Sequence, residues 1–177
     1  MTGVQTCALP IWNVYKCLSN NLGSNSTSKP TSILTTSDFQ TEDGYIWKYM
    51  YTISDEEKLR FVTSDYIPVK TLTNDDGSLQ WQTQNNAVDG AIHSIVISEF
   101  GSGYTSNSIY VTIDGDGQDA NAYAVINTIS NTVSSVIVDH LGFNYTFANI
   151  TFQSSTGGNT AVGRAVISPP GGHGSEI

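Results

Sequence analysis

ISEFGSGYT, Ile97 to Thr105, is written again as VDHLGFNYT, Val138 to Thr146. Gly101 matches Gly142, Tyr104-Thr105 matches Tyr145-Thr146, and the register holds in both directions without a gap. Upstream, Ile92, Ser94, Ile95, Val96 and Ile97 match Val133, Ser135, Val136, Ile137 and Val138. Downstream, Ile109 matches Ile150, and Gly117, Ala120, Ala124, Val125 and Ile126 match Gly158, Ala161, Ala165, Val166 and Ile167. Self-similarity at one fixed offset, here 41 residues, marks a duplicated structural unit.

The matched residue types have physical reasons. After the first strand of each unit the chain must turn sharply, and Gly101 and Gly142 relieve the steric limit there. Gly103 is exchanged for Asn144. Glycine and asparagine are the residues that best tolerate positive φ, so both sites are expected to be left-handed. Ala120, Ala122 and Ala124 share one face of the third strand and match Ala161, Gly163 and Ala165. Side chains that small let another backbone approach closely. Each unit therefore reads as strand, turn, strand, turn, strand. The sequence predicts two superposable all-β units, 91–126 and 132–167, within a sandwich- or barrel-like domain spanning 91–168.

Residues 12–90 read as a β-rich N-terminal part. In WNVYKCLSN, 12–20, Val14, Lys16 and Leu18 alternate with Tyr15 and Cys17 as in a strand. Residues 20–32 are turn chemistry throughout. DGYIWKYMYTIS, 43–54, is the strongest strand, with Tyr45, Trp47, Tyr49 and Tyr51 expected on one face. Ser54 and Glu57 have the spacing of a capping box, and the acidic residues behind Ser54 suit the positive end of a helix dipole. One short helix is predicted at about 55–62. Pro68 keeps Ile67 extended, TNDDGS is a turn, and LQWQTQNNAVDG, 79–90, reads as a polar strand or connector. The class expected is mainly β, antiparallel, with one short helix. Residues 169–177 read as a truncated Gly/Pro-rich tail.

Composition narrows the function. The 177 residues carry a formal charge of −9, with 7 Lys+Arg against 16 Asp+Glu. So few cations cannot neutralise many phosphates, which argues against nucleic-acid binding. The same field repels an anionic membrane, and no apolar run reaches the roughly 18 residues of a spanning helix. The two cysteines, Cys7 and Cys17, are too few for a disulfide scaffold. The first eleven residues, MTGVQTCALPI, lack the basic start and long apolar run of a signal peptide. They resemble the translation of a sequencing-adapter oligonucleotide, and are set aside as an assembly artefact.

The chemical suspects are weak. DGDGQDA, 114–120, groups Asp114, Asp116 and Asp119, but a calcium loop of the EF-hand type would need glycine and glutamate where Asp119 and Val125 stand. The sister stretch STGGNTA, 155–161, has no carboxylate at all. A solvated hairpin is the expectation, and no metal or other cofactor is assigned. His93, His140 and His173 are far apart in sequence, without metal-ligand spacing. Cys17 reads as a buried structural thiol without a base. Glu42 and Asp43, as neighbours on a strand, converge poorly on one substrate. The aromatic stripe could stack sugars, but core or subunit packing is the stronger reading. No catalytic residue is assigned, and an enzyme is not expected.

YKCL (15–18), DGYIWKYMYTIS (43–54), DYIPV (65–69) and SPPGGHGS (168–175), in this order, resemble the baseplate wedge subunits of T-even-like contractile-tail phages. The GSGYT-type repeats recur in other phage tail proteins and are less specific. The resemblance covers most of 12–175, and because that family is longer at both ends it implies an internal fragment. It implies a structural virion protein of the tail baseplate, assembled in the host cytoplasm. Its expected partners are other wedge proteins, with dimers common in the family. The alternative is a carbohydrate-binding tail or adhesin module using its aromatic face.

Overall fold

The computed structural model describes residues 12–105, 109–155 and 159–175. The eleven-residue leader, Gly158 and the last two residues of the tail lie outside the described residues. The chain is mainly β and antiparallel. The N-terminal sheet joins β1 (Trp12–Ser19), β2 (Phe39–Gln40) and β3 (Ile46–Ile53) in the order β1-β3-β2. Helices α1 (Asp55–Phe61) and α2 (Leu79–Asn85) follow. Then come β4 (Ile92–Ser102), β5 (Ile109–Gly115), β6 (Gln118–Asn127), β7 (Thr132–Phe143), β8 (Ala148–Ser154) and β9 (Asn159–Ile167).

Helix α1 begins as its sequence requires. The Ser54 side chain accepts from the Glu57 amide, and Glu57 Oε2 accepts from the Ser54 amide. A second helix corrects the expectation of a strand or connector after residue 78. Ser78 caps α2 by accepting from the Trp81 amide. The stretch LQWQTQN has no apolar periodicity because glutamines hold it in place. Gln80 Nε2 donates to the Lys70 carbonyl, and Gln84 Oε1 accepts from the Leu72 amide.

The two repeats do not fold as separate sheets. β4 pairs with β9, β5 with β8, and β6 with β7, so these three ladders all cross from one repeat to the other. The pairing obeys a pseudo-twofold axis. Val111 faces Phe152, its own equivalent in the other repeat, within the β5–β8 ladder. Two bulges repeat as well. His93 and Ser98 are the extra residues of β4, and Ser134 and Asp139 are their counterparts in β7. With β5 against β6 and β4 against β7, the six strands enclose one barrel-like interior.

That interior is filled by equivalent residues from the two repeats. One cluster centres on Ile92, Ile95, Ala122 and Tyr145, the other on Ile97, Tyr104 and Val133. The exchange is compensated where it is unequal. Phe152 replaces the smaller Val111, and Gly163 replaces Ala122. A Cβ on Gly163 would stand 3.0 Å from the Phe152 ring.

Residues 168–175 are not a loose tail. Ser168 Oγ donates to the Val88 carbonyl and accepts from the Ala91 amide, while its own amide donates to the Ala91 carbonyl. A Cβ on Gly172 would meet the Val88 backbone at 2.4 Å, and one on Gly174 the Thr83 carbonyl at 2.8 Å. Only glycine allows so close an approach. The C-terminal segment thus locks the barrel onto α2.

Candidate interaction surface

The candidate turn residues do backbone work. Gly101 and Gly142 have φ of 61° and 63°, and Gly103 and Asn144 have 76° and 61°. Tyr104 and Tyr145, which follow, are both buried. The Tyr104 amide donates to the Asn131 carbonyl, and the Tyr145 amide donates to Gly90, the residue equivalent to Asn131. Gly90 and Asn131 are themselves left-handed. Gly101, Gly103, Tyr104, Gly142, Asn144 and Tyr145 thus shape the turns of the barrel.

The aromatic strand divides. Tyr49 and Tyr51 are buried. Tyr49 packs edge-on against Tyr15, whose ring also meets Phe39, and Tyr51 Oη donates to the Pro68 carbonyl. Burial pushes both phenols above their ordinary pKa. Tyr45 and Trp47 are half-buried and stack on each other, ring centres 5.5 Å apart, while Trp47 Nε1 donates to Thr41 Oγ1. As a contact face, Tyr45, Trp47, Tyr49 and Tyr51 therefore shrink to the first two.

Three carboxylates are committed to holding turns. Asp43 accepts first from the Thr41 hydroxyl, then from the Ser26 hydroxyl and the amides of Ser28 and Thr27, which together drive its pKa far down. Asp116 accepts from the Thr146 hydroxyl and from the amides of Thr146 and Phe147, lowering its pKa to about 2. Asp116 thereby ties the β5–β6 turn to the β7–β8 turn. Glu57 is held at about 2 first by its bond to Lys70, 2.9 Å away, and then by Ser54. Among the described residues no three His, Cys, Asp or Glu side chains are grouped to hold a metal ion, and no helix is long and apolar enough to cross a membrane.

Two expectations from the sequence need correction. Cys17 is exposed, because the core lies on the opposite face of β1, where its neighbour Leu18 is buried. Its Sγ donates to the Ser19 carbonyl, and partial desolvation pushes the thiol pKa up, away from nucleophilic reactivity. The histidines are not all far apart: the rings of His93 and His173 lie 5.1 Å from each other.

A further apolar feature lies beside α1. Tyr51, Ile53, Phe61, Pro68 and Val69 line a groove of about 310 Å³, with the Glu57–Lys70 ion pair at its edge. Of the lining residues Phe61 is 56% exposed and Val69 is exposed too, and Tyr66 and Ile67, which precede Pro68 in the same segment, are also exposed. Scattered exposed apolar residues are ordinary, but clusters of them mark contact sites. The sequence signal was present in KLRF and DYIPV, whose apolar residues have no helical or strand period to bury them. Comparison of the chain with protein-family models, with curated proteins and with solved structures found no match.

Proposed function

We propose that the chain is a structural subunit of a phage tail baseplate that acts by binding neighbouring wedge proteins. The observation that carries this reading is the groove between α1 and the 65–70 segment, an apolar surface left open among the described residues. Buried aromatic and aliphatic side chains typically dominate interface energy, and Phe61, Tyr66 and Val69 are of that kind. The resemblance adds direction. DGYIWKYMYTIS supplies the floor of the groove through Tyr51 and Ile53, and DYIPV supplies its wall through Pro68 and Val69. The acidic balance, 16 Asp+Glu against 7 Lys+Arg, favours protein partners over nucleic acid or anionic membrane.

The groove would take an apolar side chain from a neighbouring tail protein, with Glu57 and Lys70 fixing its polar rim. Phe61→Glu and Val69→Glu should abolish co-purification with wedge proteins while leaving the circular dichroism unchanged. Retained co-purification by both folded variants would refute the assignment of this surface. A glycan-binding tail module is the second reading, resting on the half-buried Tyr45–Trp47 pair. Since those rings stack on each other, a sugar would have to share or displace one of them. Trp47→Ala abolishing saturable glycan binding would favour that reading.

A further inference from the structure

Residues 66–72 run between the two helices without a bend or turn, yet they belong to no ladder. Pro68 fixes its own φ and keeps Ile67 extended. In a strand the N–H and C=O of one residue point to one side and those of the next to the other. Residues 66–72 have that period. Among the described residues, every backbone hydrogen bond of this stretch falls on an even-numbered residue. The Tyr66 carbonyl accepts from the Thr63 amide, and the Tyr66 amide donates to Thr63 Oγ1. The Pro68 carbonyl accepts from Tyr51 Oη and the Lys70 carbonyl from Gln80 Nε2. The Leu72 amide donates to Gln84 Oε1, and its carbonyl accepts from Gln84 Nε2. Side chains of β3 and α2 thus stand in for a neighbouring strand along the inner edge.

The odd-numbered residues face the other way. The amides and carbonyls of Ile67, Val69 and Thr71 have no hydrogen-bond partner among the described residues. All three residues are exposed. An open edge of this kind is a template for another strand. Proline often guards such edges, but Pro68 stands in the inner register, so its missing N–H takes no donor from the outer one. Pro68 and Val69 also line the groove beside α1. A strand laid along 67–71 would carry its side chains past that groove.

Charge selects the occupant. Exposed Asp65 flanks the stretch at one end and exposed Asp75 and Asp76 at the other, while Lys70 between them is paired with Glu57. A second copy laid antiparallel on the same edge would bring its acidic flanks against these, and like charges across a strand pair are destabilising. A segment with lysine or arginine at its ends has the complementary charge.

We propose that Ile67, Val69 and Thr71 present an open strand edge that takes an extended segment of a neighbouring protein, apolar in alternation and basic at its ends, by strand addition. The proposal rests on the groove being a contact site and specifies how its occupant arrives. Main-chain bonds supply affinity, and the groove selects the side chain.

The test uses the whole chain, isotope-labelled for amide NMR, and a synthetic peptide of alternating valine and threonine with two lysines at each end. Binding should be saturable. It should protect the amides of Ile67, Val69 and Thr71 from exchange while adding no protection at Leu72, an alternation that side-chain packing alone would not produce. Thr71→Pro removes one outer donor and no inner bond, and should weaken binding about tenfold. Thr71→Ala keeps the N–H and should bind as wild type. No peptide binding, protection without alternation, or equal affinity of the two variants would each overturn strand addition. A wild-type dimer that Thr71→Pro dissociates would place a second copy on the edge and overturn the choice of occupant. The groove is read out separately. Loss of wedge proteins in Phe61→Glu, with Thr71→Pro and Thr71→Ala alike, would keep the groove and reject the strand. Alternating protection by the peptide without any wedge complex would keep the strand and reject the wedge partners.

Discussion

Gly142 combines two demands that substitution can separate. Its φ is 63°, and a Cβ built there would stand 2.5 Å from the Gln118 carbonyl oxygen and 2.6 Å from the Ala120 nitrogen. Both atoms belong to the backbone of β6, so they cannot swing aside as the end of a side chain would. For Gly142→Ala, left-handed strain costs about 1–2 kcal/mol. Overpacking against the ladder costs about 1–3 kcal/mol more. The sum, about 2–5 kcal/mol, is a large part of the stability of an ordinary domain. Gly142→Asn distinguishes the two terms. Asparagine accepts this conformation, as Asn144 does two residues later at φ 61°, yet it carries the same Cβ. If the close approach of β6 dominates, Asn should rescue little of the loss. Urea unfolding followed by far-ultraviolet circular dichroism gives both values, with the slope checking that the unfolded state is unchanged. Near-native stability of Gly142→Asn would show that the β6–β7 approach is looser than the geometry implies, and would refute the reasoning.

Three further outcomes follow from the same geometry. Gly103→Asn should be mild, because the sister unit carries Asn144 at the equivalent turn, whereas Gly103→Val should be the more destabilising by about 1–2 kcal/mol or more; equal melting of the two would reject the left-handed turn. Gly163→Ala should cost about 1–3 kcal/mol by crowding the Phe152 ring, and Phe152→Val in the same chain should recover part of it, as a double-mutant cycle would show through non-additivity. The Asp116 carboxyl should titrate at about 2 by NMR, with Thr146→Val moving it upward. Because the folded pKa lies below the ordinary value near 4, this carboxylate stabilises the fold above pH 4 and ceases to do so as pH falls toward 2. A wild-type midpoint near 4 would remove Asp116 from the turn.

The repeat units, their left-handed turns and the capping box of α1 were legible because each is a demand that local backbone places on a residue type. The matched register of Ile97 and Val138 showed a duplication, but the offset is silent on which strands pair. The β4–β9, β5–β8 and β6–β7 ladders were therefore not readable from it. Helix α2 was not legible because its buried residues are Gln80 and Thr83, polar side chains that bond the Lys70 and Leu79 carbonyls and give no apolar period. Cys17 was misplaced because strand alternation gives two faces without saying which of them is buried, and Leu18's face is the one that packs. His93 and His173 came together only through the packing of the C-terminal segment, and no sequence spacing encodes that. The groove was partly legible, since Phe61, Tyr66, Ile67 and Val69 are apolar residues without a period, whereas the aromatic strand, the stronger sequence signal, puts Tyr49 and Tyr51 into the core.

Native mass spectrometry of the chain co-expressed with wedge proteins of a T-even-like phage tests the assembly reading most directly. The account predicts a complex of defined stoichiometry that forms with wild type and is lost with folded Phe61→Glu. A wild-type chain that stays free of every wedge protein, while binding a glycan saturably through Trp47, would contradict it.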